Sequence, residues 1–234
     1  SEVFEYLRAR IIRGEGLPGR RVSENEVAKE LGLSRTPVRE AFIRLRQEGL
    51  LQVFPQSGTV VSPISLDEVQ DCQFLRETLE CRTVALAAER CSPDDALDLK
   101  RLLDRQLDCC APGREAEFVA ADDEMHRRLV EISGRTAIWR VVRDAKAQLD
   151  RVRHLSLQNP VWIGRNVDEH RAIIACVVGH DPRGAEAAMR EHLRNVFQSI
   201  ERISAEHGEF FGPPAPGVAA PSKRSRSSKS SRAT

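Results

Sequence analysis

The segment ADDEMHRRL sets Asp122 and His126 four residues apart, one turn apart on a single helix face. Farther on, DEHRAIIACVVGHDPRGAEAAMREHL carries His170 and His192 on either side of a break at Gly179 to Gly184, each 11 residues from Asp181. If the flanking helices pack antiparallel, equal spacing puts both imidazoles at one height, about 15 Å from the turn. Three imidazoles and a carboxylate at one level would form a His3Asp cage suited to Zn²⁺, Ni²⁺ or another borderline divalent ion. Spacing alone also allows Glu169 and Glu191 to be the inward residues. A histidine taken singly is more often a satisfied core or surface group than a ligand. His154, His180 and His207 show no such pattern and read as surface residues, His180 in a turn and His207 at a helix end.

A second constellation is LGLSRTPVREAFIRLRQEGLL, residues 31 to 51. Val38, Ala41, Phe42 and Leu45 share a helix face and should be core, while Arg35 and Arg39 point away from it. Between Ser34 and Arg46 stand four Arg and one Glu, a local charge of +3. Ser34 and Thr36 open this helix, where hydroxyls and free backbone N–H groups suit phosphate oxygens. Arginine can also hold guanine O6 and N7 with two hydrogen bonds. A solvated face with incidental arginines is the plainer alternative, but its neighbours argue for a surface that meets a polyanion.

Those neighbours are short helices and a hairpin. Val3, Leu7 and Ile11 mark a first helix, ended by GEGLPG. Ser23 and Glu26 have capping-box spacing for a second helix with Val27 and Leu31 as core, stopped by Gly32. Ser34 caps the third, which runs to about Gly49. LQVFPQSGTVVS then reads as a β-hairpin with its tip at Gln56, Ser57 and Gly58. Three helices followed by a hairpin form the winged helix-turn-helix plan, whose third helix reads a major groove of double-stranded DNA.

After Pro63 the periodicity is wholly helical. Six helices are expected over residues 66–91, 94–110, 115–133, 136–158, 162–179 and 182–207. The fold class is therefore mainly α: a winged helix-turn-helix in residues 1–62 and a six-helix antiparallel bundle in residues 63–207. Residues 208–234, Pro/Ala then Ser/Lys/Arg, have too little apolar content for a core and are expected to form a disordered basic tail.

Composition agrees with a globular chain. The 234 residues are 41% hydrophobic and 30% charged, with a net charge of +1. Charge is uneven: 10 Lys/Arg face 8 Asp/Glu in residues 1–62, 21 face 26 in residues 63–207, and 5 face 1 beyond. Any nucleic-acid affinity must come from local patches. No apolar run approaches the roughly 20 residues that span a bilayer, and SEVFEYLRARII is amphipathic rather than a secretion signal. The chain opens on Ser1 within a running helical pattern, which suggests a short missing N-terminal piece. The six cysteines contain no Cys-x-x-Cys pair and read as reduced thiols packed as small hydrophobes, with a redox role for adjacent Cys109 and Cys110 as the minor alternative.

The pattern SRTPVREA, followed by the spaced Leu, Glu-Gly-Leu, Pro, Gly and Val of residues 45 to 61, resembles the DNA-binding domain of the GntR family of bacterial transcription regulators. Residues 66–205 resemble the FCD effector domain of its FadR-type branch through FLRETLECRTVALAAER, DDEMHRRLVEISG and DEHRAIIACVVGHDPRGAEAAMREHL. The six-helix count favours a VanR-like subgroup. The resemblance implies DNA contacts from Ser34, Arg35, Thr36, Arg39 and Gly58. It implies metal ligation by Asp122, His126, His170 and His192. A homodimer and a cytoplasmic, nucleoid-associated location follow from it, with repression the commoner habit. Asn25 stands where a phosphate-binding Arg is frequent, so that contact is not carried over. Met125 replaces a usual Phe, a packing change.

Arg76 matches a family arginine that faces the effector pocket, where it could hold a small carboxylate effector together with the metal. The alternative is an ion pair with Glu80, four residues on. Two further readings remain. The metal itself could be the signal. A metal-dependent hydrolase is the other, although only Glu124 and Glu169 offer themselves as general bases.

Overall fold

The computed structural model describes residues 2–54 and 58–212. Helices α1 (Glu2–Ile12), α2 (Glu24–Leu31) and α3 (Arg35–Gln47) precede strands β1 (Leu51–Phe54) and β2 (Gly58–Val61). The strands pair antiparallel with Leu51 opposite Val61 and Phe54 opposite Gly58. Apolar side chains at helical spacing make one core: Phe4, Leu7 and Ile11 from α1, Val27 from α2, and Val38, Phe42 and Leu45 from α3, closed by Leu51 and Val61. Gly32 ends α2 with φ +64°, a left-handed conformation that lets the chain turn directly into α3. The linker before α2 adds a rung that the sequence did not announce. Arg21 bridges Val60, and the Val22 N–H donates to the Thr59 carbonyl at 2.9 Å.

The expected capping box at Ser23 does not form. Ser23 occupies the N-cap with extended backbone, but its side chain makes no capping bond, and neither does that of Ser34. Both stand at helix ends near solvent, where water can satisfy the first N–H groups. A full capping box does close α5, between Ser92 and Asp95.

The helical part contains α4 (Leu66–Arg90), α5 (Pro93–Asp108), α6 (Glu115–Ile132), α7 (Ala137–Ala145), α8 (Ala147–Ser156), α9 (Pro160–Val178) and α10 (Pro182–Glu206). That is seven helices among the described residues, not six. The expected helix over 136–158 breaks at Lys146, with neither Gly nor Pro to mark it. The break lets Ala147 enter the core of the winged module and lets the Lys146 ammonium reach Asp123 at 2.8 Å and Asp150. The six-helix argument for the VanR-like subgroup goes with it.

The tail expectation also needs correcting at its start. A 3-10 turn at Gly208–Phe210 and a parallel bridge between Ile64 and Phe211 hold this segment down. Phe210 and Phe211 pack on a cluster containing Ile64, Val69 and Leu149, an aromatic anchor that the segment's high Pro/Ala content obscured. Residues 213–234, with the basic run, lie outside the described residues, as do Gln56 and Ser57 of the wing tip.

All six cysteines are free thiols, four of them buried. No described helix is long and apolar enough to cross a membrane. Side-chain bonds tie the halves together, among them Gln148 Nε2 donating to the Gly49 carbonyl at 2.9 Å and Arg151 to the Ser62 carbonyl at 2.8 Å. Leu45 has no exposure at the centre of the winged core. Leu45→Ala should cost about 3 kcal/mol, read from the denaturant midpoint of that module, because the vacated volume cannot fully collapse.

Candidate metal centre

Asp122 and His126 lie on the buried face of α6, and His170 and His192 on the facing sides of the antiparallel α9 and α10. The symmetric spacing about the α9–α10 turn does place the last two at one level. Their ring centroids are 4.5 Å apart, and those of His126 lie 5.6 Å from His170 and 5.3 Å from His192. One ligand atom from each of the four residues falls within 4.8 Å of every other. None of the four residues is more than 8% exposed. The alternative inward pair is excluded, since Glu191 is exposed and Glu169 stands behind His192.

Each imidazole has its Nδ1 committed away from the centre. His126 Nδ1 lies 2.6 Å from Glu80 Oε2, His170 Nδ1 2.6 Å from Gln106 Oε1, and His192 Nδ1 2.8 Å from Glu169 Oε2. If these nitrogens donate, every Nε2 turns a lone pair inward, the tautomer a metal-binding histidine requires. Gln106 supports that assignment, because its amide nitrogen is used on the Ala121 carbonyl and its oxygen therefore faces His170.

The electrostatics agree. Burial alone would raise the Asp122 carboxyl, but the Arg153 guanidinium holds it well below the usual carboxylate range. Burial pushes His170 and His192 below the ordinary imidazole value, which favours the neutral form a metal ligand needs. Two buried atoms find no partner in this arrangement, Asp122 Oδ1 and His126 Nε2. Orphaned acceptors at the focus of three imidazoles are what a divalent ion would satisfy, so the donor set fits Zn²⁺ or Ni²⁺.

Arg76 makes the ion pair with Glu80 that its spacing allows. Its Nε lies 2.6 Å from Glu80 Oε1, and the guanidinium also lines a cavity of about 50 Å³ beside the cluster. Arg153, Trp162, Asn166 and His192 share that wall. Sequence reading missed Arg153, which pairs with Asp122 and lies 3.2 Å from Asp123. It missed Gln106 too. Both come from helices other than the one they serve, so no local spacing announces them. Glu80 was legible only as a partner of Arg76, and its second oxygen reaches His126.

The remaining histidines are mixed. His180 is an exposed turn residue with φ +53°. His154 and His207 are half-buried rather than on the surface; His154 packs near Glu115 and Arg13, and His207 beside Phe210.

In the winged module, Ser34, Arg35, Thr36 and Arg39 are all exposed around the start of α3, and Gly58 is exposed with φ +85°. Arg35, Arg39 and Arg46 have no acidic partner among the described residues.

Substitution of the centre should read out directly in metal titration calorimetry. His192→Ala should abolish saturable Zn²⁺ binding. Glu80→Gln should weaken it by about 10- to 100-fold, the usual effect of losing an outer-shell partner.

Residues 71–195 match the FCD domain family and residues 1–61 the gntR family of bacterial regulatory proteins. An uncharacterised HTH-type transcriptional regulator in an unstable DNA locus of Streptomyces ambofaciens is 40% identical, over 93% of this chain and 91% of its own. The HTH-type transcriptional repressor RspR of Escherichia coli is 30% identical, over 90% and 92% respectively. The solved structure of E. coli McbR/YncC shares the fold, with TM-score 0.73 and 22% identity over 88% of this chain and 97% of that one. These families and relatives are regulators of transcription, not enzymes, and the hydrolase reading falls with them. With a gntR-type winged module followed by an FCD helical domain, the chain belongs to the GntR family of bacterial transcription regulators.

Proposed function

We propose that this protein is a ligand-responsive regulator, acting as a repressor in the bacterial cytoplasm, that grips operator DNA as a homodimer. The winged module of residues 1–62 reads the DNA, and the helical domain of residues 63–207 receives the signal. Asp122, His126, His170 and His192 would hold a divalent ion, Zn²⁺ or Ni²⁺, and a small carboxylate effector would bind between that ion and Arg76. When bound, the ion supplies a Lewis-acidic position for a carboxylate oxygen. The chain's own contribution is the cationic wall: Arg76 and Arg153 beside His192, suited to a planar anion.

The observation that carries this reading is the coincidence of the buried ligand set with an arginine-lined cavity. At about 50 Å³ the cavity has room for a few waters. An organic acid of several carbons therefore requires lining side chains to move. Such movement is what regulation needs, since an effector shifts an equilibrium only through unequal affinity for two states. A dimer would present two α3 helices to palindromic half-sites about one helical turn apart.

Ser34, Arg35, Thr36 and Arg39, with Gly58 in the wing, are the proposed DNA contacts. Arg39→Ala should cost about 1–3 kcal/mol of operator affinity in gel-shift titration on a site recovered by in vitro selection. Undiminished affinity would remove Arg39 from the interface.

On that same operator, a panel of small mono- and dicarboxylates should include one that changes DNA affinity in the zinc-loaded protein. Arg76→Ala should weaken the binding of that acid by at least about tenfold, as expected for loss of a charge-assisted contact. Because the same ligands could make the ion itself the signal, free Zn²⁺ should also be titrated with no organic acid present. A full DNA response to zinc alone would favour the metal-sensing reading.

A further inference from the structure

The metal-ligand cluster is joined to the DNA-reading helix by a continuous run of charges. Arg153 pairs with Asp122 and lies 3.8 Å from Asp150. Asp150 is buried, held by Lys146 from its own side and by Arg8 of α1 at 3.1 Å from the winged module. The same Arg8 guanidinium turns its Nε to Glu48 at 2.8 Å, and Glu48 is the C-cap residue of α3. Four ionic links therefore lead from Asp122 through Arg153, Asp150 and Arg8 to the end of the recognition helix. The next residue, Gly49, accepts the Gln148 bond, so α8 meets the chain at the end of α3 directly there and, through Arg8, at Glu48.

This run can be more than a clamp. The Asp122 and Asp150 side chains have at most 3% exposure and that of Arg153 only 11%, so water screens the inner links little. A buried charge that loses one partner must strengthen its hold on another, because leaving it uncompensated is costly. Arg153 is the link open to disturbance: it lines the effector cavity and binds a metal-ligand carboxylate at once. A cation on Asp122 competes for the carboxylate that holds Arg153, and an anion in the cavity draws its guanidinium. Either event changes the compensation of Asp150, which shares Arg8 with Glu48.

We propose that Arg153, Asp150 and Arg8 are positioning residues that carry occupancy of the metal pocket to the recognition helix, by redistributing Arg8 between Asp150 and Glu48. The proposal rests on the reading of the pocket given above and adds the route by which its state reaches DNA. Arg8 serves as the switch point, since it alone in the run belongs to the winged module yet contacts both halves.

The test uses the full chain with Zn²⁺ as the only added ligand, and needs neither operator nor effector. Zinc affinity is measured by calorimetry, and hydrogen exchange of peptides covering residues 2–12 and 44–50 is followed with and without zinc. In the native chain, zinc should change the exchange of these segments by at least about fivefold, the lower end of ordinary allosteric coupling. In Arg8→Gln and Asp150→Asn, zinc should still bind while that response falls to less than half. A merely structural role would shift the baseline exchange of both variants but leave the zinc response intact, and that result overturns the relay. Native protein that binds zinc with no change in α3 overturns the relay while sparing the metal centre; failure to bind zinc at all overturns both. Should Asp150→Asn fail to fold, Arg8→Gln decides, since Arg8 is partly exposed and its loss leaves Asp150 paired with Lys146.

Discussion

The helical half is organised around one costly burial, that of the Asp122 carboxylate among three imidazoles. Arg153 neutralises it from one side, while Oδ1 lies 3.3 Å from His170 Nε2 without a formed hydrogen bond and His126 Nε2 has none either. The conflict sharpens between His170 and His192, whose Nε2 atoms lie 3.3 Å apart. With both Nδ1 atoms donating outward, two lone pairs face each other at that distance. One ring could relieve the repulsion by moving its proton to Nε2, but it would then lose its donation to Gln106 or Glu169. A cation at the focus would remove the repulsion and keep every outer bond.

Holding such a focus takes several elements at once. The three outer partners of the imidazoles come from α4, α5 and α9. Glu80 is fixed by Arg76 on its own helix, and Glu169 by Asn195 on α10. Beneath them Met125, Leu129, Ile173, Met189 and Leu193 belong to one close-packed cluster that sets the spacing of α6, α9 and α10. Each of the four side chains at the focus therefore inherits its position from core packing and its orientation from a polar partner on another helix. Rigidity of this kind makes a small displacement in the cavity felt elsewhere, since a packed interior transmits strain instead of absorbing it.

Much of this was legible in the chain itself, and the exceptions follow a rule. The equal distance of His170 and His192 from Asp181 located their common level because a turn between antiparallel helices is a local symmetry. Periodicity could not tell His170 from Glu169, which are adjacent, and the answer came from packing: the histidine faces α6 while the glutamate braces the next ring. Gln106 and Arg153 act across 64 and 31 residues respectively, and no spacing rule reaches that far. The break at Lys146 was invisible because its cause is tertiary: a buried ammonium between Asp123 and Asp150, and Ala147 entering a neighbouring core. Phe210 and Phe211 were discounted with the Pro/Ala segment around them, although two adjacent aromatics suffice to anchor a short stretch on an apolar face.

The placement of arginines and acids bears on how a chain of nearly neutral charge can grip a polyanion. In the helical half, Arg76, Arg128, Arg153 and Arg194 are each committed to acids. In the winged module three of the acids pair with arginines of α1 and the turn after it: Glu15 with Arg10 and Arg13, Glu30 with Arg10, Glu48 with Arg8. Arg44 stacks over the Phe4 ring at 3.6 Å, tying α3 to α1. Among the described residues, Arg35, Arg39 and Arg46 of α3 are exposed without an acidic partner. An unpaired guanidinium meets a phosphate or a guanine edge without first breaking an ion pair. The net charge of residues 1–62 is thus a poor guide to affinity, which is set by where the acids have been placed.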